Sequence, residues 1–492
     1  MTGRLVAGVD CSTQATKVVV VDVDQGDRVA EGRAAHQVLR QGAISETDPD
    51  HWWRALAAAL SSTGLADRVD AVSIAAQQLG LVTLDADHRP LRPAVLWDDT
   101  RSAYAAERLQ TALGGRQAWA RHVGTQPVAG LTVASWVWLR EAEPETAGRT
   151  AHVRLPHDFL TERLTGNGVT DRGDASGTGW WSSRREAYVP EVLDLPIVDL
   201  KPSMLPRVLA ADEVAGQVTP MAAQWTGLRA GIPVACGTGD NMSAALALAI
   251  EPGEPVISLG TSGTAYMRAD RAPADPTGQV FADASASGDH LPLTCTLNAT
   301  LAVDNMARLL SLARDAVAER TDVVVMPYLS GERLPDYPLA RGSILGIDHA
   351  TSGGEVLLAA YEGVAYSLVR SLDVLAAQTS PIAPDAPILL IGGGARSRIW
   401  QDTVARLSGR ALVIPGADEL VAWGAAAQAA GLLAGQPAVD VARRWNVAKG
   451  AVVQARAVDQ TALDRIARVR HAADALNTAD FFASSDTAPE AP

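Results

Sequence analysis

The sequence contains very little lysine, and this shortage excludes one common nucleotide-binding motif. Of its 42 lysine and arginine residues only Lys17, Lys201 and Lys449 are lysine, and none of the three follows a glycine. A Walker A loop requires a Gly-Lys-Ser/Thr sequence at the start of a helix. If the protein binds a nucleotide, it must therefore hold the phosphates by other means.

Cysteine and long apolar runs are scarce as well. The three cysteines, Cys11, Cys236 and Cys295, are far apart, which excludes a disulfide scaffold or a CxxC zinc site and predicts a reducing, cytoplasmic environment. No run approaches the ~18–20 apolar residues of a membrane span. Residues 1–4 lead straight into a short apolar strand, so we expect no signal peptide.

The charge and the length indicate a soluble globular protein of more than one domain. The formal net charge is −14, and no basic cluster is present, which argues against nucleic acid or an anionic membrane as partner. The 492 residues exceed the ~250–300 over which a single hydrophobic core grows, so two domains are expected. A hydrophobic fraction of 47% is typical of a globular chain.

A strand–turn–strand pattern occurs near the start of each half. Apolar residues 5–10 and 17–23 flank a polar turn, and 255–267 repeat the pattern, which predicts either a duplicated architecture or a chance recurrence of hairpins. Helical periodicity, for example at 297–318 and 354–378, alternates with short β-rich runs and favours α/β layers. We predict four segments: an N-terminal domain 1–243, a C-terminal domain 244–440, a helical segment 441–475 and a disordered tail 476–492.

Three turns rich in glycine or hydroxyl groups follow apolar runs, at 8–13, 260–264 and 392–395. Such turns let backbone amides approach phosphate oxygens, so together they favour a nucleotide site. Asp10, at the end of a strand, could hold Mg²⁺ through water or merely cap its turn. Asp240 could be a general base for a hydroxyl attacking a γ-phosphate, or the N-cap of the helix that follows it.

Two polar loops have the composition of a sugar pocket. Gln77 and Gln78, with the segment 97–101 (Trp-Asp-Asp-Thr-Arg), supply amides, carboxylates, a cation and a flat apolar ring. The loop 171–178 adds small polar residues. Composition alone favours ordinary surface loops.

Taken together, these motifs resemble the FGGY family of carbohydrate kinases over about residues 5–470. The most specific match is 342–347 (Gly-Ser-Ile-Leu-Gly-Ile), followed after seven residues by 355–362, with support from 327–333 and 392–395. Within that family, 155–160 (Leu-Pro-His-Asp-Phe-Leu) and 170–178 are similar to the bacterial xylulokinases.

The resemblance implies an α/β fold of two actin-like (ribonuclease H-like) domains around a central cleft, with ATP, Mg²⁺ and a small sugar as ligands. It implies Asp240 as the catalytic base and Asp10 as the Mg²⁺ ligand, acting through water. A homodimer is one option for the assembly. The implied nucleotide-binding residues are Asp10, Ser12, Thr13, Lys17, Gly260, Thr261, Ser262, Gly393, Gly394 and Ser397. The implied sugar-binding residues are Gln77, Gln78, Leu79, Trp97, Asp98, Arg101, Asp240 and Asn241.

Four positions depart from the xylulokinase pattern. Leu79 and Asp336 stand where histidine is usual or common, Asp98 replaces an asparagine, and Ser135 replaces a lysine. Leucine can neither donate nor accept a hydrogen bond, so one polar sugar contact is lost. The expected substrate is therefore D-xylulose or a related ketose or polyol, phosphorylated on a primary hydroxyl. An actin-like ATPase and an inactive sugar sensor stay open as alternatives.

Overall fold

The structure is a computed structural model that describes residues 3–329, 331–335, 337 and 340–477. Asp336 and most of the predicted tail, from residue 478 onwards, lie outside the described residues. Contacts divide the chain into two compact units. Unit 1 comprises Met1–Glu251, Arg268–Pro292 and Ala417–Ala448, and unit 2 comprises Pro252–Met267, Leu293–Gly416 and Lys449–Pro492.

Strands and helices alternate along most of the described chain, as the α/β prediction requires. The strands are Leu5–Cys11 (β1), Ala15–Asp22 (β2), Arg28–Ala35 (β3), Leu39–Gln41 (β4), Ile44–Thr47 (β5), Val69–Ala76 (β6), Val82–Leu84 (β7), Ala94–Val95 (β8), His152–Arg154 (β9), Val169–Asp171 (β10), Trp181–Ser182 (β11), Ala187–Tyr188 (β12), Arg207–Leu209 (β13), Val214–Gln217 (β14), Pro233–Ala235 (β15), Thr238–Gly239 (β16), Pro255–Leu259 (β17), Gly263–Met267 (β18), Leu293–Thr296 (β19), Val324–Met326 (β20), Ser343–Leu345 (β21), Ile388–Ile391 (β22), Leu412–Pro415 (β23) and Gly450–Val453 (β24). The α-helices are Pro49–Ser62 (α1), Ala103–Ala112 (α2), Arg116–His122 (α3), Thr132–Ala142 (α4), Pro144–Arg149 (α5), Pro156–Thr165 (α6), Arg172–Gly177 (α7), Pro190–Leu193 (α8), Pro220–Thr226 (α9), Asp240–Ala247 (α10), Thr300–Leu309 (α11), Gly353–Gln378 (α12), Arg398–Ser408 (α13), Leu420–Ala434 (α14), Ala438–Trp445 (α15) and Gln460–Asn477 (α16).

Each unit is built on a sheet of the same topology. In unit 1 the strand order is β14-β15-β6-β1-β2-β3, with β1, β6 and β15 parallel and β2 antiparallel to both of its neighbours. In unit 2 the order is β24-β23-β22-β17-β18-β19, and the strand directions follow the same scheme. The two hairpins predicted from sequence, β1–β2 and β17–β18, occupy equivalent places, which supports the duplicated architecture.

The central strand of unit 1 is buried on both faces. Alternate residues of β1 point to opposite sides of the sheet. Leu5, Ala7 and Val9 belong to a core cluster that includes Trp52 and Leu56 of α1, and Val6 belongs to the cluster formed with the alanines of α14. Helices therefore cover both faces of the sheet, which explains why β1 is a continuous apolar run and not an alternating one.

Helix α14 packs against β1 at unusually close range. A Cβ atom on Gly8 would lie 1.9 Å from the backbone oxygen of Ala422 and 2.3 Å from the nitrogen of Ala426. This contact places Ala417–Ala448 in unit 1, although the predicted C-terminal domain 244–440 included most of that segment. Each predicted domain is one continuous stretch of the chain, whereas each compact unit combines three separate segments.

The predicted helices agree with the structure where no backbone signal interrupts them. The periodicity at 354–378 corresponds to α12, which begins with Ser352 and Glu355 in a capping box. The helix predicted at 297–318 is wrong in length, because α11 ends at Leu309 and Ser311 adopts a left-handed φ of 56° that stops it. Within the described residues, none of the helices is long and apolar enough to serve as a membrane span.

The close approach of α14 to β1 gives a stability prediction. Gly8→Ala should lower the free energy of unfolding by about 2 kcal/mol or more, because the added methyl group must displace helix backbone. Gly148→Ala in α5 is the matched control, since a Cβ atom there meets nothing within 4 Å. Chemical denaturation of both variants measures the difference, and equal stabilities would contradict the packing described for Gly8.

Candidate active site

The end of β1 carries a buried carboxylate held by one cation. Asp10 lies opposite Lys17 in the β1–β2 ladder, and Lys17 Nζ is 3.4 Å from Asp10 Oδ2 and 2.6 Å from Glu419 Oε2. Burial raises the pKa of Asp10 to about 6, although the charge of Lys17 opposes the rise. The second oxygen, Oδ1, is buried and has no hydrogen-bond partner among the described residues. It is therefore available to a ligand.

The turn after β1 joins residues predicted for the nucleotide and for the sugar. Ser12 Oγ donates to the Ala15 carbonyl at 2.9 Å, so this hydroxyl closes the turn. Thr13 Oγ1 accepts a hydrogen bond from Trp97 Nε1 at 3.3 Å. The indole of Trp97 is thereby fixed beside the turn that follows Asp10.

Asp240 is the first residue of α10 and lies among other carboxylates. The N-cap position belongs to Gly239, so the alternative of an Asp240 N-cap is wrong. Its Oδ1 accepts from Asn241 N at 2.9 Å and from Asn241 Nδ2 at 3.1 Å. Although part of the side chain stays exposed, loss of hydration raises its pKa to about 7, and the charge of Asp10 contributes further. A carboxylate with that pKa accepts a proton readily near neutral pH.

The predicted sugar residues at the end of β6 lie beside Asp240. Asn241 Nδ2 donates to Gln78 Oε1 at 3.0 Å, which links Gln78, Asn241 and Asp240. Both polar side-chain atoms of Gln77 are buried without a partner in the described part of the chain. Leu79 has a left-handed φ of 69°, and its carbonyl accepts from Thr132 Oγ1 at 2.9 Å.

The charged residues of the loop 97–101 contact different partners. Asp98 Oδ2 accepts from Arg40 at 2.9 Å, while its Oδ1 is buried and unpartnered in the described structure. Arg101 instead binds Asp99 at 2.7 Å and Glu46, with its guanidinium 4.1 Å from the centre of the Trp138 ring. Its donors are used inside the protein, so the geometry favours a supporting role over the predicted sugar contact.

Ser135 stands where the family pattern has lysine, and it is buried inside α4. Its hydroxyl has no partner among the described residues. The position therefore supplies no cation to a ligand.

In unit 2, the second turn predicted to bind phosphate is hydrogen-bonded to the start of α11. The turn Gly260-Thr261-Ser262 joins β17 to β18. Thr300 donates to the Gly260 carbonyl through its backbone nitrogen at 3.1 Å and through Oγ1 at 2.7 Å, and Ala299 N donates to the Thr261 carbonyl at 3.2 Å. The carbonyls of Gly260 and Thr261 are thus occupied by hydrogen bonds within the protein.

The glycines after β22 lie against the same turn of unit 2. A Cβ atom on Gly394 would come within 2.9 Å of Leu259 Cβ and of Thr300 Cγ2, whereas one on Gly393 meets nothing within 4 Å. Ser397 N donates to the Gly394 carbonyl at 3.0 Å, and Ser397 is the N-cap of α13. All the nucleotide residues predicted in unit 2 therefore belong to one edge of its sheet.

Sequence reasoning missed one charged cluster beside the candidate base. His157, Asp158, Asp171 and Asp174 are buried together in unit 1. The segments 155–160 and 170–178 support the family resemblance, but no local pattern shows that α6 and α7 bring His157 and Asp174 into contact.

Comparisons with known proteins agree with the two-domain α/β fold. The N-terminal domain of the FGGY family of carbohydrate kinases matches residues 5–247, and the C-terminal domain of that family matches 256–432. A protein of Streptomyces rubiginosus named xylulose kinase is 54% identical over 95% of this chain and 96% of its own. One of Escherichia coli K12 with the same name is 34% identical over 82% and 85%. The crystal structure of xylulose kinase from Bifidobacterium adolescentis aligns with a TM-score of 0.83 at 32% identity, covering 96% of this chain and all of that one.

The chain belongs to the FGGY family of carbohydrate kinases. It has the two-domain α/β fold of that family, and the predicted fold class is confirmed. Like other sugar kinases of the family, it uses ATP with Mg²⁺. The individual site residues and the cleft stay predictions.

The open space over Gly393 gives a test of the nucleotide prediction. Gly393→Ala should leave the stability of the protein unchanged but raise the KM for ATP by roughly tenfold, because the methyl group would meet a bound nucleotide and not the protein. Steady-state kinetics with ATP varied, together with thermal denaturation, measure both effects. An unchanged KM for ATP would place the nucleotide away from Gly393.

Proposed function

We propose that this protein phosphorylates D-xylulose on its primary hydroxyl with ATP, giving D-xylulose 5-phosphate and ADP. The support is the identity of 54–55% with two Streptomyces proteins named xylulose kinase over 95% of the chain, together with the buried carboxylate of Asp10 and the partly buried carboxylate of Asp240. D-xylulose is therefore the first substrate to test.

Asp240 acts as the general base in this proposal. Its pKa of about 7 means that a large fraction is ionised at neutral pH and that its affinity for a proton exceeds that of an ordinary aspartate. The hydroxyl oxygen attacks the γ-phosphate as its proton passes to Asp240. Asn241 and Gln78 hold the carboxylate in place through the hydrogen bonds described above.

Asp10 fits the requirement for Mg²⁺. Its Oδ1 is a buried carboxylate oxygen without a protein partner in the described residues, and Mg²⁺ prefers oxygen ligands while keeping several waters. Lys17 binds the other carboxylate oxygen of Asp10, Oδ2, and Glu419 in turn binds Lys17. The bound ion would neutralise charge on the phosphates. For unit 2, taken by itself, we propose that the amides of the turn at 260–262 bind phosphate oxygens.

Leu79 concerns the choice of sugar. A Cβ atom on Gly177 would come within 2.9 Å of Leu79 Cδ2, so the Leu79 side chain packs against the last residue of α7. In this proposal Leu79 contributes an apolar wall, and the hydrogen bonds to the sugar come from Gln77, Gln78 and Asn241. D-xylulose remains compatible with such a pocket, and so does another ketopentose.

The role of Asp240 gives a kinetic prediction. Asp240→Asn should lower kcat by about 10²–10⁴-fold with ATP binding retained, because the amide cannot take up the proton. In the wild-type protein kcat/KM should fall below about pH 7, as protonation removes the base. A coupled ADP assay from pH 5.5 to 8.5 measures both, and near-normal turnover by the variant would contradict the role.

The Leu79 wall gives a second kinetic prediction. Leu79→Ala should raise the KM for D-xylulose several-fold while the KM for ATP stays unchanged, because only the sugar loses a contact. Gly148→Ala serves again as the surface control. An equal change in both KM values would show that Leu79 acts on the fold and not on the sugar.

ADP release with and without sugars separates the proposal from its two alternatives. Sugar-independent hydrolysis of ATP would favour an actin-like ATPase. Binding of a ketose without phosphorylation in Mg-ATP would favour an inactive sensor. The FGGY matches over both domains support the kinase.

We also propose a cytoplasmic homodimer. Met221 and Trp225 of α9 are 77% and 56% exposed, and a dimer would cover such side chains. In the described part of the chain the three cysteines form no disulfide, which suits a reducing compartment. Sedimentation of the protein at about twice its 51.5 kDa mass would support the dimer, and a monomer would exclude it.

A further inference from the structure

A buried ion pair lies behind the start of α10. His157 of α6 is fully buried, its Nδ1 contacts Asp174 Oδ2, and the same nitrogen is 3.4 Å from Asp158 Oδ1. Burial alone would lower the pKa of His157, but Asp158 and Asp174 raise it to about 10. The two carboxylates therefore favour the charged form of the imidazole.

The other oxygen of Asp174 faces the turn that presents the candidate base. Asp174 Oδ1 is buried and has no hydrogen-bond partner in the described residues. A Cβ atom on Gly239 would lie 2.8 Å from this oxygen and 2.6 Å from Gln78 Cγ. Asp174 is thus packed against the residue immediately before Asp240.

Asp171 links the start of α7, which contains Asp174, to the turn that precedes Asp240. Its Oδ2 accepts from Thr238 Oγ1 at 2.7 Å and from Gly173 N at 2.8 Å, and its Oδ1 accepts from Asp174 N at 2.9 Å. His157, Asp171 and Asp174 are close enough to hold a metal ion, but the oxygens of Asp171 are occupied by three donors. The hydrogen bonds account for the cluster without a metal.

We propose that Asp174, held by the His157 cation, is a positioning residue for the kinase reaction: it fixes the Gly239 turn and places negative charge beside Asp240. The inference rests on the proposed function, in which Asp240 is the base. A fixed anion next to a carboxylate makes that carboxylate a stronger base, and the strength of a general base sets its contribution to the rate.

The charges around the two carboxylates determine the sign of the effect. Asp174 faces His157 and Asp158 of α6. It also faces Asp171, at the end of β10, and Asp240 of α10. Asp283, from the segment 268–292, adds a fifth neighbour, since its own pKa is raised by burial and by Asp174. Asp240 also faces Asp10, which Lys17 compensates in part. Removing the charge of Asp174 should therefore make Asp240 a weaker base.

The first test is the pH profile of kcat/KM in Asp174→Asn. We expect the acid limb to move to lower pH by roughly half a unit or more, with a fall in the plateau of roughly tenfold. Glu162→Gln is the matched control, because Glu162 forms another buried ion pair of α6, with Arg154 at 2.5 Å. It should leave the limb in place. A limb that is unmoved in Asp174→Asn, or moved equally in the control, would overturn the inference.

The second test replaces the cation and does not depend on the folding of Asp174→Asn. His157→Lys keeps a positive charge for Asp174 and should retain kcat within about threefold, whereas His157→Leu should lose roughly tenfold or more. Equal kcat values for the two variants would overturn the inference. A wild-type protein that phosphorylates no sugar would overturn the proposed function as well, while normal wild-type turnover with unaffected variants would overturn this inference alone.

Discussion

The structure depends on the burial of several carboxylates in unit 1 with few cations to match them. Asp10, Asp174, Asp240 and Asp283 all have raised pKa values, and in each the largest cause is loss of hydration. Burial of charge is costly unless a partner compensates it. Lys17 lies beside Asp10 and His157 beside Asp174, so these two carboxylates are compensated. The pKa values of Asp240 and Asp283 are both raised to about 7, so both take up a proton more readily than an ordinary aspartate.

The sheet explains how these side chains come together. Asp10 ends β1, Gln77 and Gln78 follow β6, and Asp240 follows β16, and these three strands are parallel neighbours. Carboxyl ends of parallel strands lie along one edge, where α/β folds bind their ligands. Unit 2 repeats the topology, and its glycine-rich turns follow β17 and β22 at the equivalent edge. One architecture thus presents the proposed base, Asp240, in one unit and glycine-rich turns in the other.

Much of this could be predicted from the sequence, because the signals are local. The hairpins β1–β2 and β17–β18 are visible as apolar runs around hydroxyl-rich turns, and their repetition indicated the duplicated fold. The length of α11 could not be predicted, since the left-handed Ser311 has no local signature. Membership of α14 in unit 1 depends on its packing against Gly8, more than 400 residues away in the chain. Hydrophobic periodicity does not show which segments pack together across such a long separation in the chain.

The same limit applies to charged side chains. Arg101 looks like a sugar ligand in sequence, but Asp99, Glu46 and Trp138 occupy its guanidinium. His157 and Asp174 have ordinary neighbours in sequence, and only the fold brings them behind Asp240. The most direct test of the account is the titration of the Asp240 carboxyl group in the wild-type protein, followed by ¹³C NMR with Asp240→Asn for assignment. A midpoint near pH 7 is predicted; a midpoint near pH 4, that of an ordinary aspartate, would contradict the central role of carboxylate burial.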